Sequence, residues 1–163
     1  MAYGTIVADK ITTSDGYTLG GSGATMKNRI INGAMVIDQR NNGAANTPSG
    51  SGKVYNLDRW SYVYSAGSKI TVQQNSGSVT PPDGFSKYLG ANVASSYSVT
   101  SGDYFYIRHV IEGNNIADLA FGTSSAKAIT LSFWVRSSVT GTYNVSFHTG
   151  ANQKHRSEEH TSE

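Results

Sequence analysis

The sequence predicts an all-β fold, a sandwich or a barrel, on two observations. Ser, Thr, Asn and Gly fill 67 of the 163 positions while charged residues supply only 15%, a mixture that suits strands and turns and excludes a coiled coil or a helical bundle. Segments rich in β-branched and aromatic residues recur at near-regular spacing, each closed off by Ser, Gly, Pro or Asp. The length fits one domain with a short appendage.

Residues 1–25 read as an extended arm and linker. A strand over residues 4–13 meets the turn signal Ser14-Asp15-Gly16, and Gly20-Gly21-Ser22-Gly23 follows as a flexible connector, since it lacks the Lys-Ser/Thr and the helix of a phosphate loop. From Arg29 the character changes: Ile30, Ile31, Met35, Val36 and Ile37 predict a buried strand, followed by a loop through Gly52. Further strands are expected over residues 55–64, 69–74, 88–99, 103–112, 127–136 and 142–148. The one helical signal is residues 114–120, where Asn caps a single turn and Ile116 shares a face with Leu119.

Two strands alternate with period two, which sorts their side chains between a core face and an outer face. Phe105, Ile107, His109 and Ile111 oppose Tyr104, Tyr106, Arg108 and Val110, and Ile129, Leu131, Phe133 and Val135 oppose Thr130, Ser132, Trp134 and Arg136. A sugar ring binds through its C–H face against a flat aromatic ring while polar neighbours bond its hydroxyls, so aromatics on an exposed sheet face are the candidates. Tyr104, Tyr106 and Arg108 meet that condition, and Trp134 with Arg136 repeats it; these five are the candidate glycan-binding residues. Trp60, Tyr62 and Tyr64 also share a face but read as a core stripe.

Other chemistry is not readable. With no Cys there is no disulfide, thiolate nucleophile or Cys-ligated metal. Asp38, Asp58, Asp103, Glu112 and Asp118 stand singly, so no glycosidase pair is indicated, and no cofactor motif is present. His109 reads as a hydrogen-bonded core histidine and His148 as a surface residue. Asp58 with Arg59, and Arg108 with Glu112, read as structural ion pairs or solvated charges. The formal charge of +2 is too small for a nucleic-acid footprint, and no apolar run reaches the ~20 residues of a membrane span. The start, Met1-Ala2-Tyr3-Gly4-Thr5, does not read as a secretory signal, which points to a protein kept inside a cell or released by lysis.

Arg156-Ser157-Glu158-Glu159-His160-Thr161-Ser162-Glu163 departs from this composition, holding three of the eleven acids. Over all eight positions it resembles an in-frame translation of a sequencing-library adapter, and it is read as non-native, packing against nothing and adding no strand. The expected organisation is thus an arm over 1–25, a sandwich over 26–155 and the tail over 156–163, with the reading frame cut near His155.

The run Lys27-Asn28-Arg29-Ile30-Ile31-Asn32-Gly33-Ala34-Met35-Val36-Ile37-Asp38-Gln39-Arg40-Asn41 resembles the opening of a domain in tail-fibre and related virion proteins of tailed phages. Leu57-Asp58-Arg59-Trp60, Ile111-Glu112-Gly113, the stretch from Ala117 to Thr123, Thr130-Leu131-Ser132-Phe133-Trp134-Val135-Arg136-Ser137-Ser138 and Gly141-Thr142-Tyr143 follow in the same order, so the resemblance covers residues 26–150. It implies a jelly-roll sandwich similar to carbohydrate-binding modules, incomplete here because such domains continue beyond Phe147. It further implies a virion appendage, a homotrimer and contacts with other virion proteins, without fixing the ligand; the leading reading is a non-enzymatic tail-fibre segment that contacts a host-surface glycan. The alternatives are a carbohydrate-binding module of a bacterial polysaccharide-active enzyme and a purely structural decoration or shaft protein.

Overall fold

The computed structural model describes residues 28–149 in full and, as backbone, Ile11–Thr12, Thr18–Leu19 and His155–Thr161. The rest of the expected 4–13 strand, and the Gly20–Gly23 linker, lie outside the described residues. The structure is all-β, with antiparallel pairing throughout the described strands. The strands are β1 (Ile11–Thr12), β2 (Thr18–Leu19), β3 (Gly52–Leu57), β4 (Trp60–Tyr64), β5 (Ile70–Gln74), β6 (Leu89–Val93), β7 (Phe105–His109), β8 (Thr142–His148) and β9 (His155–Thr161). They form a three-stranded sheet in the order β3-β4-β7 and the pairs β1-β2, β5-β6 and β8-β9. The chain divides into two compact units, Met1–Lys127 and Ala128–Glu163.

In the first unit the core lies between the β3-β4-β7 sheet and the β5-β6 pair. Tyr62, Tyr64 and Val72 are buried there, with Val54, Ile70, Leu89 and Phe105 packed around them. The rings of Tyr62 and Tyr64 stack at 4.9 Å, as the expected core stripe requires, and burial pushes the Tyr62 hydroxyl up to about 12. Leu57 and Val72 are fully buried, each a gain of ~1.5–3 kcal/mol. The backbone of β5 also pairs with Asn46 through two hydrogen bonds at Val72, of 2.9 and 3.1 Å.

Several expected elements differ, each for a local reason. Residues 30–37 are a turn and an irregular stretch, not a buried strand, and Ile31, Val36 and Ile37 stand about half exposed. Asn32 and Met35 adopt left-handed φ values of 56° and 58°, and the Asn32 side chain bonds both the N–H and the carbonyl of Ile37, closing the turn. Residues 55–64 are not one strand but a hairpin: Leu57 pairs with Trp60, and Arg59 takes φ 74° in the two-residue connection. The 88–99 strand shortens to β6. The 114–120 signal resolves into two 3-10 turns, Gly113–Asn115 and Ala117–Leu119.

The second unit departs most. Residues 127–136 form no strand, and Ile129, Leu131, Phe133 and Val135 are 39–66% exposed instead of pointing into a core. Their alternation is right for a sheet, but the stretch is part of none of the described sheets, and alternation makes a strand only where a neighbouring ladder takes up its backbone groups. The C-terminal segment, expected to add no strand, pairs instead as β9 with β8 over seven residues, from Thr142 opposite Thr161 to His148 opposite His155. The polar character of that segment does not oppose pairing, because a backbone ladder needs no apolar side chain.

Candidate functional site

The outer face of the β3-β4-β7 sheet is set by register. Directly opposed residues share a face, so Tyr55, Ser61 and Arg108 form one transverse row and Lys53, Val63 and Tyr106 the next. Phe105 and His109 point the other way and are half-buried; Ile107 shares their face but is 41% exposed, so the expected core face is covered only in part, and Tyr104 and Tyr106 are 46% and 45% exposed. Tyr104 is fixed just before β7 by Ser65, whose N–H donates to the Tyr104 carbonyl and whose hydroxyl accepts the Tyr104 N–H. The Tyr104 and Tyr106 ring centroids lie 6.0 Å apart, tilted by 43°.

Of the five sequence-predicted residues, Tyr104, Tyr106 and Arg108 therefore sit on one exposed face in the first unit. Trp134 and Arg136 belong to the second unit, on the stretch that forms no strand, so the expected strand-borne repeat of the aromatic-plus-guanidinium arrangement is not formed. Trp134 is 75% exposed.

Beside Arg108 the face opens into a depression of about 430 Å³. Arg40, Lys53 and Tyr55 line one part of it, and Arg59, Arg108 and Glu112 another, with Asp58 and Val110 completing the wall. The row explains the shape. Ser61, the small central residue, is buried between Tyr55 and Arg108 and leaves the space above it to them.

Arg40 reaches the site from a tightly tied loop. The Asp38 carboxylate accepts the N–H groups of Asn41 at 3.0 Å and Gly43 at 2.7 Å, an Asx-type turn. Asp58 accepts the Gln39 N–H at 2.7 Å, and the Asn41 amide donates to the Asn56 carbonyl at 2.8 Å. The loop so held places the Arg40 guanidinium 5.3 Å from the Tyr55 ring centroid, and Lys53 Nζ lies 5.1 Å from the same ring. Tyr55 thus seats two cations.

The carboxylates of the depression are already engaged. Glu112 accepts from Arg59 at 2.5 Å, which holds its carboxyl below the usual range, and it also accepts from the Asn115 amide. Arg59, not Arg108, is therefore the partner of Glu112, because the left-handed turn at Arg59 sends its guanidinium toward the Val110 carbonyl and Glu112. Asp58 is tied to the Gln39 backbone rather than to Arg59. Arg40, Lys53 and Arg108 make no ion pair with a carboxylate among the described residues.

His109 lies on the inner face. Its Nε2 bonds the Ile31 carbonyl at 3.0 Å and its ring meets Trp60 edge-on at 4.9 Å. Burial lowers its pKa, with the Ile31 carbonyl opposing, so it is a packed histidine of the core side. No group of three or more His, Cys, Asp or Glu converges as a metal site among the described residues. Among them, too, no helix is long and apolar enough to cross a membrane.

Sequence reading missed Arg40, Lys53 and Tyr55. Alternation within β3 is interrupted by an irregularity between Tyr55 and Leu57, so only the cross-strand register brings Lys53 and Tyr55 to the face of Arg108, and only the tied loop brings Arg40 there. No family model, curated protein or solved structure matches the chain.

Proposed function

We propose that the chain is a non-enzymatic component of a phage virion appendage, a tail-fibre segment of jelly-roll-like sandwich type that contacts a host-surface glycan. The observation that carries this is the exposed face on which Tyr104, Tyr106 and Arg108 stand together. Two adjacent tyrosine rings offer flat surfaces to a sugar ring, while the guanidinium and the phenolic hydroxyls supply hydrogen-bonding groups for its hydroxyls. The ordered sequence resemblance to tail-fibre proteins supports the virion setting, the homotrimer and the contacts with other virion proteins.

The test is adsorption. Virions carrying Tyr106→Ala with Arg108→Ala in the full appendage protein are expected to adsorb to host cells at least about tenfold more slowly, with the circular-dichroism melt of the purified protein unchanged. Unaltered adsorption would reject the site, and binding confined to other virion proteins would favour a shaft role.

A further inference from the structure

We infer that the depression beside Arg108 selects a negatively charged sugar, an inference that rests on the glycan-binding reading and names the class of glycan. Arg40, Lys53 and Arg108 come from a loop and two different strands, yet all three line one hollow of about 430 Å³. Their side chains carry no hydrogen bond to a described acceptor, whereas both acids of the same hollow are committed, Glu112 to Arg59 and Asp58 to Gln39. The four cations of the hollow, Arg40, Lys53, Arg59 and Arg108, outnumber its two carboxylates, Asp58 and Glu112. They leave a net positive field there, and field lines concentrate in clefts.

The two ring systems divide the work. Tyr55 is already flanked by Arg40 and Lys53, so its role is to seat cations. Tyr104 and Tyr106 have no cation over them among the described residues and remain open for the C–H face of a sugar. Arg108 stands in the row of Tyr55 and one row from Tyr106, between the cationic and the aromatic halves. A sugar lying on the tyrosines would then direct its acidic group over Ser61 toward Arg108, Lys53 and Arg40, where a planar guanidinium grips a carboxylate or sulfate through paired N–H donors.

The test is calorimetric titration of the full chain with trigalacturonate, a sulfated chondroitin disaccharide, maltotriose and an oligothymidylate, at low and at physiological salt. Binding of at least one acidic sugar, absent for maltotriose, weakened by salt and reduced about tenfold by Arg108→Gln, is the expected result. Arg40→Gln, whose side chain holds no structural hydrogen bond among the described residues, should weaken it in the same direction while the melt stays unchanged. The bound member of the acidic pair identifies the anion. Maltotriose binding without either acidic sugar would overturn the inference and leave the glycan-binding reading intact. Tighter binding of oligothymidylate with the same Arg108 dependence would also overturn it, by assigning the hollow to phosphate, and so would binding of none of the four.

Discussion

Asp103 shows how one side chain organises a connection. Its carboxylate accepts the Thr100 N–H at 2.8 Å and hydroxyl at 2.9 Å, the Ser65 hydroxyl at 2.7 Å and the Tyr97 hydroxyl at 3.0 Å. Those donors, the Thr100 N–H foremost and Ser65 next, bring its pKa down to about 2 from 3.8, and the carboxylate in turn raises that of Tyr97 through the hydrogen bond it accepts. A carboxylate held below its unfolded value stabilises the fold fully above that value and loses the contribution as pH falls toward the folded one. Thermal midpoints of the wild type should therefore decline between pH 4 and pH 2. Asp103→Asn should melt lower at pH 7 and converge with the wild type near pH 2, and parallel curves would remove Asp103 from that role. Residue-scale chemistry was partly legible: alternation put Tyr104, Tyr106 and Arg108 opposite Phe105 and His109, and the packed state of His109 followed from its apolar neighbours. The partner of Glu112 was not legible, because it depends on the handedness of the backbone at Arg59, and an arginine gives no sign of φ 74°.

Among the elements, those with local signals were readable. β5, β7 and β8 lie within their expected ranges, and the 3-10 turns Gly113–Asn115 and Ala117–Leu119 fall where Asn and the Ile116 and Leu119 spacing placed one, whereas a third at Ser76–Ser78 had no such signal. The hairpin of β3 and β4 was hidden because Asp58-Arg59 lacks the Asn-Gly or Gly that marks a two-residue turn, whereas Asn32-Gly33, a turn pair, was masked by isoleucines and valine around it. Close backbone approach also fixes how elements meet. A Cβ at Gly67 would lie 2.3 Å from the Gly50 nitrogen and 2.4 Å from the Ser49 carbonyl carbon, while the neighbouring Ser68 N–H donates to the Pro48 carbonyl at 2.7 Å. Backbone cannot yield there as a side-chain tip does. Gly67→Ala is expected to cost about 1–3 kcal/mol in chemical denaturation, whereas Gly102→Ala, where a Cβ meets nothing within 4 Å, should change little.

The whole molecule divides its stability unevenly. In the first unit an apolar cluster joins two sheets, but the described strands of the second are a single antiparallel pair, a form that is marginal by itself in water. Hydrogen exchange should therefore be slowest at Tyr62, Tyr64 and Val72 and fastest over residues 128–136, whose backbone belongs to no described ladder. Protection of 128–136 equal to that of β4 would contradict the irregular conformation. The all-β class was legible at this scale because composition disfavours a helical bundle and the recurring β-branched and aromatic segments mark strands. The division into units was not, since periodicity records which residues could form a strand and not whether a sheet takes them in, as Ile129 to Val135 demonstrate.

The loop that carries Arg40 is anchored through Asp38, Asn41, the Gly43 backbone and Asp58, none of which involves the Arg40 side chain. Framework and display are thus separate, as in the hypervariable loops of a recognition domain. Position 40 is free to drift under selection, to lysine, glutamine or an acid, with little consequence for folding, and each exchange would retune the charge offered to whatever surface the protein meets.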